Sequence, residues 1–250
     1  MQNINLSDQQ LQLLKKKYKL RGLDGTEGQI YLYNDNGQKV AMKLFNTTCP
    51  KVLENKEKKI KLLYKKPLDS NILKPIKTVS NNDRIIGYTQ QLVLPHSTFD
   101  DIKVSANKKN KLEYLKKAKY LIENLHDNDI IHGDIRSFNL LVQHNVVKLC
   151  DIDNCIIEDL NYDVQGSFAD IYKNGVGTID KYIDVFSHNI VTVAVLRKLL
   201  DHVVYDYIKK AVSINSDIAT IYNEMLNLSE NYSGEYLIDK IDKKMKIKFL

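Results

Sequence analysis

The stretch His132-Gly133-Asp134-Ile135-Arg136-Ser137-Phe138-Asn139 places an aspartate and an asparagine five positions apart. Another aspartate, Asp151, follows a short strand-like run in Lys148-Leu149-Cys150-Asp151-Ile152-Asp153. A reaction on a nucleoside triphosphate needs one carboxylate to orient the attacking hydroxyl, and an amide and a further carboxylate to hold Mg²⁺ on the phosphates. The two stretches supply these side chains in that order.

Upstream of this stretch, a glycine-containing turn leads into two strand-like runs. The turn is Leu23-Asp24-Gly25-Thr26-Glu27-Gly28-Gln29-Ile30, and glycine amides can approach phosphate oxygens closely because glycine has no Cβ. Asn36-Gly37 predicts a hairpin between the runs. The second run contains Val40-Ala41-Met42-Lys43, so that Lys43 lies fifteen residues beyond Gly28.

In their order and spacing these features resemble the eukaryotic-like protein kinase family, of which the chain looks like a compact, divergent member. The catalytic-loop pattern H-x-D-x-[KR]-x-x-N is matched with Gly133 in place of the usual Arg, and Asp151-Ile152-Asp153 stands for Asp-Phe-Gly. Ile183-Asp184-Val185-Phe186-Ser187 matches the helix start that anchors the catalytic loop in that family. The resemblance covers residues from about 20 to about 200, and its motifs are specific only in combination.

The fold that this resemblance implies is α+β and bilobal. We expect residues 1–94 to form an N-terminal lobe with a short first helix, a small antiparallel sheet and one further helix, and residues 95–250 to form a mostly helical, abbreviated C-terminal lobe. Apolar periodicity predicts helices near 8–18, 51–64, 112–125 and 183–200, and strand-like runs occur at 30–33, 39–45, 72–79, 84–93, 140–142 and 146–150. Pro95 marks the expected boundary between the lobes.

The resemblance also assigns roles to individual side chains. Asp134 would orient the acceptor hydroxyl with Arg136 beside it, Lys43 would contact the α- and β-phosphates of ATP, and Asn139 and Asp151 would bind Mg²⁺ or Mn²⁺. His132 is expected to pack and to bond the backbone rather than act as a base. The remaining nucleotide contacts are expected from the glycine turn, the strands and the hinge: Leu23, Gly25, Gly28, Ile30, Ala41, Gln91, Leu92, Val93 and Leu141.

A helix glutamate is expected to hold Lys43 in place. Glu57 is favoured over Glu54 because Ile60 lies three residues beyond it, and Leu53 and Tyr64 share that face. Lys61 is unusual on this face, where the family usually has a core residue.

Besides Gly133, two further places depart from the family pattern. Asp153 replaces a glycine, and its carboxylate is either an extra metal ligand or a solvated turn residue. Ala169-Asp170-Ile171 stands where the family has Ala-Pro-Glu, so the ion pair made by that glutamate is expected to be absent.

Composition is that of an ordinary folded protein. The chain has 250 residues, 43% of them hydrophobic and 27% charged, with a formal net charge of +6. We see neither a secretory signal nor a membrane span, and the three cysteines fit neither a disulfide framework nor a zinc site, so a cytoplasmic location is expected. Lysine-rich runs at 15–17, 56–66, 108–119 and 243–248 could meet an anionic partner, but their amphipathic pattern favours solvated helix faces, and nucleic-acid binding is not expected.

The expected function is ATP-dependent transfer of a phosphoryl group to a protein hydroxyl, with serine or threonine as acceptor. Two alternatives stay open. A small-molecule phosphotransferase of the aminoglycoside or choline kinase type shares His-Gly-Asp and the later Asn and Asp, although such enzymes are usually longer around the catalytic loop. A pseudokinase would use the fold only for binding, but it would have no chemical need to retain Lys43, Asp134, Asn139 and Asp151 together.

Overall fold

The structure is a computed structural model that describes residues 1–24, 28–158 and 181–214, with the single positions 160, 220 and 243. Over these residues the chain is α+β, as expected, with six α-helices and a six-stranded mixed sheet. The predicted division into lobes at residue 94 is not tested by these features and stays a prediction. Within the same residues, no helix is both long enough and apolar enough to cross a membrane.

The large sheet has the strand order β1-β5-β6-β4-β3-β2. Its strands are β1 (Gln2–Asn5), β2 (Lys19–Asp24), β3 (Gly28–Asp35), β4 (Gln38–Phe45), β5 (Lys77–Asn81) and β6 (Arg84–Gln91). The hairpin predicted at Asn36-Gly37 joins β3 to β4, and both residues have positive φ, 53° and 93°. The strand predicted at 72–79 begins only at Lys77, because Pro75 cannot donate to a ladder.

The sheet is mixed because β1, which the sequence does not predict, pairs in parallel with β5. The rest of the sheet is antiparallel, as expected. Polar side chains reinforce the added strand: the Asn3 amide donates to Ser80 Oγ at 2.8 Å, and Thr78 Oγ1 donates to Asn3 Oδ1 at 2.9 Å.

The two faces of the sheet have different neighbours. Tyr31, Met42 and Leu44 lie on one face, in a cluster with Leu14 of helix α1 (Asp8–Lys17). Successive side chains in a strand point to opposite faces. Lys43 therefore lies on the other face, in register with Ile30 of β3 and Tyr88 of β6.

Five further helices follow: α2 (Pro50–Lys65), α3 (Phe99–Ser105), α4 (Lys108–His126), α5 (Tyr182–Arg197) and α6 (Asp201–Ile214). Helix α3, which the sequence analysis does not predict, begins at a capping box between Thr98 and Asp101. One apolar cluster joins α2, α3, α4 and α5, with Leu63, Phe99, Ile122 and Val191 among its members. This cluster holds the helical region against the end of α2.

Short strands just before α3 and between α4 and α5 border the loop at 132–139. They are β7 (Ser97–Thr98), β8 (Ile130–Ile131), β9 (Leu140–Gln143), β10 (Val146–Leu149) and β11 (Ile156–Ile157). Strands β7, β9 and β10 form one small antiparallel sheet, and β8 pairs with β11. Short 3-10 turns at Ser137–Asn139 and Ile152–Asn154 fix Asn139 and Asp153 beside these strands.

Candidate active site

Lys43 and Asp151 form an ion pair across the site, although 108 residues separate them in the chain. Lys43 comes from β4 and Asp151 follows β10. Asp151 has φ 64° and ψ 39°, a left-handed conformation that aspartate adopts more readily than most residues. This backbone geometry turns the chain between β10 and the following 3-10 turn.

Asp153 is the second carboxylate on Lys43. Its side chain is fully buried, and its Oδ1 atom accepts hydrogen bonds from Lys43 Nζ at 2.6 Å and Tyr88 Oη at 2.9 Å. Its Oδ2 atom faces Lys56 Nζ at 3.3 Å. The expectation of a solvated turn residue is wrong, because three donors enclose this carboxylate.

Opposite charges in this cluster shift the pKa values of Lys43 and Asp153 toward their charged forms. Burial alone would lower the pKa of Lys43, but Asp153 and Asp151 outweigh it, and the pKa lies well above its ordinary value. Burial would raise the pKa of Asp153, but Lys43 and Lys56 hold it below its ordinary value. Both groups are therefore charged at neutral pH.

The predicted pair between Glu57 and Lys43 is not what the structure shows. Glu57 accepts a hydrogen bond from Lys61 at 2.5 Å on the outer side of α2. The α2 residue that reaches the cluster is Lys56, which donates to Asn154 Oδ1 at 2.7 Å as well as facing Asp153. Lys56, Ile60 and Leu63 follow the i, i+4, i+7 spacing of a buried helix face, and Glu57 lies beside that face.

The loop at 132–139 is held by two aspartates from later helices, of which Asp184 is buried and Asp201 half-buried. Asp184 of α5 accepts the backbone N–H groups of His132 and Gly133 at 2.8 and 2.7 Å. Asp201 of α6 accepts the backbone N–H and the hydroxyl of Ser137 at 2.8 and 2.6 Å. The resemblance predicts the Asp184 anchor, whereas Asp201 carries no local sequence signal beyond its place at a helix start.

His132 has both ring nitrogens engaged. Nε2–H donates to the Cys150 carbonyl at 2.9 Å, and Nδ1 accepts the Asp134 backbone N–H at 3.2 Å. The ring is buried. These contacts match the packing and backbone-bonding role expected for His132.

Asp134 is partly open to solvent, with 29% of its side chain exposed. Its Oδ1 atom accepts a hydrogen bond from Arg136 Nε at 2.5 Å. Burial raises the pKa of Asp134, while Arg136 and His132 act in the opposite direction and Asp151 adds to the rise. A carboxylate with a raised pKa that stays accessible is suited to accept a proton.

Asn139 and Asp151 lie side by side, because the Cys150 N–H donates to the Asn139 carbonyl at 3.0 Å. The Asn139 amide NH₂ donates to the Asp134 carbonyl at 2.9 Å, and no described residue donates to its Oδ1 atom. Asp151 Oδ2 is likewise without a described partner, and 37% of the Asp151 side chain is exposed.

These two oxygens fit Mg²⁺, which proteins often bind with one or two side chains while substrate phosphates and water fill the remaining positions. No group of three or more His, Cys, Asp and Glu side chains that could enclose a metal occurs in the part of the chain that the structure describes.

The residues expected around adenine are partly brought together. Val93 and Leu141 belong to one buried cluster with Leu73, and Ala41 is buried on β4 beside β6. The Val93 carbonyl accepts a hydrogen bond of 2.6 Å from His96 Nδ1. The hydrogen bonds expected between the backbone of 91–93 and a base stay a prediction.

Gly28 lies against Lys43. A Cβ at Gly28 would lie 2.8 Å from the Leu44 carbonyl oxygen and 3.0 Å from Lys43 Cε. Leu23 lies in β2, Gln91 is the last residue of β6, and Leu92 follows it. Gly25 and the segment Ala169-Asp170-Ile171 lie outside the described residues.

Several lysines of the basic runs are buried rather than solvated. Lys56, Lys59 and Lys111 are almost fully buried, and Lys111 Nζ donates to the Lys103 carbonyl at 2.5 Å. The expectation of solvated faces is wrong for these three residues, because each lies on the inner side of its helix.

Two comparisons with known proteins complete the description. No family model matches the chain, and no curated protein matches it.

Proposed function

We propose that the chain is an ATP-dependent protein kinase that transfers the γ-phosphoryl group to a serine or threonine hydroxyl with the help of Mg²⁺. The observation that carries this proposal is the meeting of Lys43 and Asp151 beside Asn139. A phosphate-binding cation and two metal-binding oxygens are the groups that phosphoryl transfer requires.

Each residue has a distinct part in this proposal. Lys43 binds phosphate oxygens, and Asn139 and Asp151 hold Mg²⁺, which neutralises charge on the phosphates when bound. Asp134 accepts the proton of the acceptor hydroxyl, whose oxygen attacks the γ-phosphorus. The bond from the γ-phosphorus to the bridging oxygen breaks, and ADP leaves with that oxygen.

The acceptor is inferred from the accessibility of Asp134 and from its neighbours. The Arg136 guanidinium lies 5.6 Å from the centre of the Phe138 ring, and Phe138 is exposed beside the loop. An exposed aromatic ring and a cation near the base offer an extended peptide both apolar and polar contacts. This surface favours a protein over a small polar acceptor.

The test uses the purified chain, γ-labelled ATP, Mg²⁺ or Mn²⁺, and two sets of acceptors. One set contains generic proteins, and the other contains aminoglycosides and choline. Label on serine or threonine of a protein, lost in Asp134→Asn, supports the proposal. Label only on a small molecule, or nucleotide binding without any transfer, overturns it in favour of a small-molecule phosphotransferase or a pseudokinase.

A further inference from the structure

Asp153 is contacted from three separate elements of the fold. Its carboxylate receives Lys43 from β4, Tyr88 from β6 and Lys56 from α2, with all three donor atoms within 3.3 Å. The residue has no exposed surface. Such a carboxylate binds no solvent-borne ligand without first losing these partners.

The carboxylate balances two buried ammonium groups. Lys43 Nζ faces Oδ1 and Lys56 Nζ faces Oδ2, so that the two lysines lie on either side of a single aspartate. Without the charge at Asp153, Lys43 would keep Asp151 as a partner, but the carboxylate between the two ammonium groups would be lost in a buried site, which is costly. The position of Lys43 therefore depends on Asp153.

We propose that Asp153 is the positioning residue for Lys43 in place of a carboxylate on helix α2, and that Lys56 of α2 fixes Asp153. Helix α2 therefore contributes a cation, and the loop after β10 contributes the anion. This reverses the expected arrangement, in which a glutamate of the helix pairs with Lys43. This inference rests on the proposed function, because it concerns how Lys43 is presented to phosphates.

The exchange links two parts of the site. Asp153 lies two residues after Asp151, and both carboxylates contact Lys43. One short loop therefore sets the positions of the lysine and of the metal-binding carboxylate together. Among the described contacts, Lys56 connects helix α2 to Lys43 through Asp153.

This role differs from that of an extra metal ligand. Both oxygens of Asp153 already have partners, and the side chain is buried, whereas Asp151 keeps one oxygen without a described partner and is partly exposed. A positioning role predicts that the Mg²⁺ requirement does not depend on Asp153, and a ligand role predicts the opposite.

The test is a charge-relocation cycle with Asp153→Asn, Lys56→Glu and the double variant that carries both changes. The double variant moves the carboxylate of this cluster from the loop to α2. Glu54→Gln is the matched control, since Glu54 lies on the outer side of α2 and pairs with Lys58. The measurements are kcat, KM for ATP, the Mg²⁺ concentration for half-maximal rate, and thermal unfolding of the nucleotide-free protein.

We expect each single variant to lose about tenfold or more in kcat, and the double variant to recover to within about threefold of wild type. The Mg²⁺ requirement of Asp153→Asn should equal that of wild type. Thermal unfolding should follow the same pattern, with both single variants less stable than the double variant. The control should match wild type in every measurement.

Additive losses in the double variant would overturn the proposal, and so would a tenfold higher Mg²⁺ requirement in Asp153→Asn. Failure of the proposed function has a different signature. If the wild-type chain neither bound ATP nor transferred its phosphate, the proposed function would be wrong. Recovery of stability in the double variant would then still support the exchanged charges. An active wild type without recovery in the double variant would overturn only the exchange.

Discussion

Asp184 accepts a hydrogen bond of 2.7 Å from the backbone N–H of Gly133, the residue immediately before Asp134. The same buried carboxylate accepts the N–H of His132, and His126 Nε2 lies 3.0 Å away. Gly133 has φ 77°, a conformation that glycine adopts at little cost. Helix α5 therefore fixes the backbone on which the proposed base is carried.

Asp184→Asn should destabilise the protein by about 3 kcal/mol, since an amide keeps one acceptor oxygen but turns a donor toward a backbone N–H. Urea denaturation measures the loss. Asp206→Asn is the control, because Asp206 is exposed on α6. Equal stability of the two variants would show that the Asp184 contacts contribute nothing.

Arg136→Gln should move the acid limb of the profile of kcat/KM against pH to higher pH by about one unit. Burial already raises the pKa of Asp134, and Arg136 opposes that rise. Without the cation the pKa of Asp134 rises further, so protonation inactivates the base at a higher pH. Arg84→Gln, at an exposed position, should leave the limb in place. If the acid limb of Arg136→Gln moved to lower pH, Asp134 would be excluded as the group that titrates there.

Gly28→Ala should weaken nucleotide binding by about tenfold, because the new methyl group would push on the Leu44 carbonyl and on Lys43. Titration calorimetry with an unreactive ATP analogue measures this affinity. Gly37→Ala is the comparison: its backbone has positive φ, but its Cβ would meet no atom within 4 Å. That variant should lose stability without losing affinity. Unchanged affinity in Gly28→Ala would place the phosphates away from β3.

His188 should make stability depend on pH. Burial lowers the pKa of His188 to about 4, although its bond to the Leu115 carbonyl works against this. A folded-state pKa below the unfolded value stabilises the protein above pH 6.5, and that stability is lost as the pH falls through 4. The loss amounts to about 3 kcal/mol at most. His188→Gln should remove this contribution, whereas His202→Gln, on an exposed residue, should retain it. If the free energy of unfolding changed with pH in the same way in both variants, the assignment of this pH dependence to His188 would be contradicted.

Local signals in the sequence predict much of the fold. Asn36-Gly37 marks the hairpin, and Ser7 with Gln10 forms a capping box at the start of α1, where a helix is predicted. Both depend on residues close together in the chain. The parallel pairing of β1 with β5 joins residues 75 positions apart, so no local pattern announces it. Polar residues such as Asn3 also conceal the strand, because its stabilising bonds are made by side chains.

The site is predicted less completely than the fold. The motifs predict that Lys43, Asp151 and Asn139 meet, and the structure brings them together. The choice of Glu57 rests on Ile60 three residues beyond it, but Glu57 itself lies beside the buried face of α2. Lys56 lies instead on the spacing of Ile60 and Leu63, and its buried ammonium group faces a buried acid. Asp153 is that acid, but it belongs to a distant segment.

The most direct test of phosphoryl transfer is the rate of label transfer from ATP to a protein acceptor as a function of Mg²⁺ concentration, in wild type and Asp151→Asn. Circular dichroism and thermal unfolding establish that the variant is folded. Asparagine has nearly the same shape as aspartate but cannot supply its charge to the metal, so we expect transfer to fall by about 1000-fold or more in a folded variant. Transfer by folded Asp151→Asn at the wild-type rate and with the wild-type Mg²⁺ dependence would contradict the proposed function.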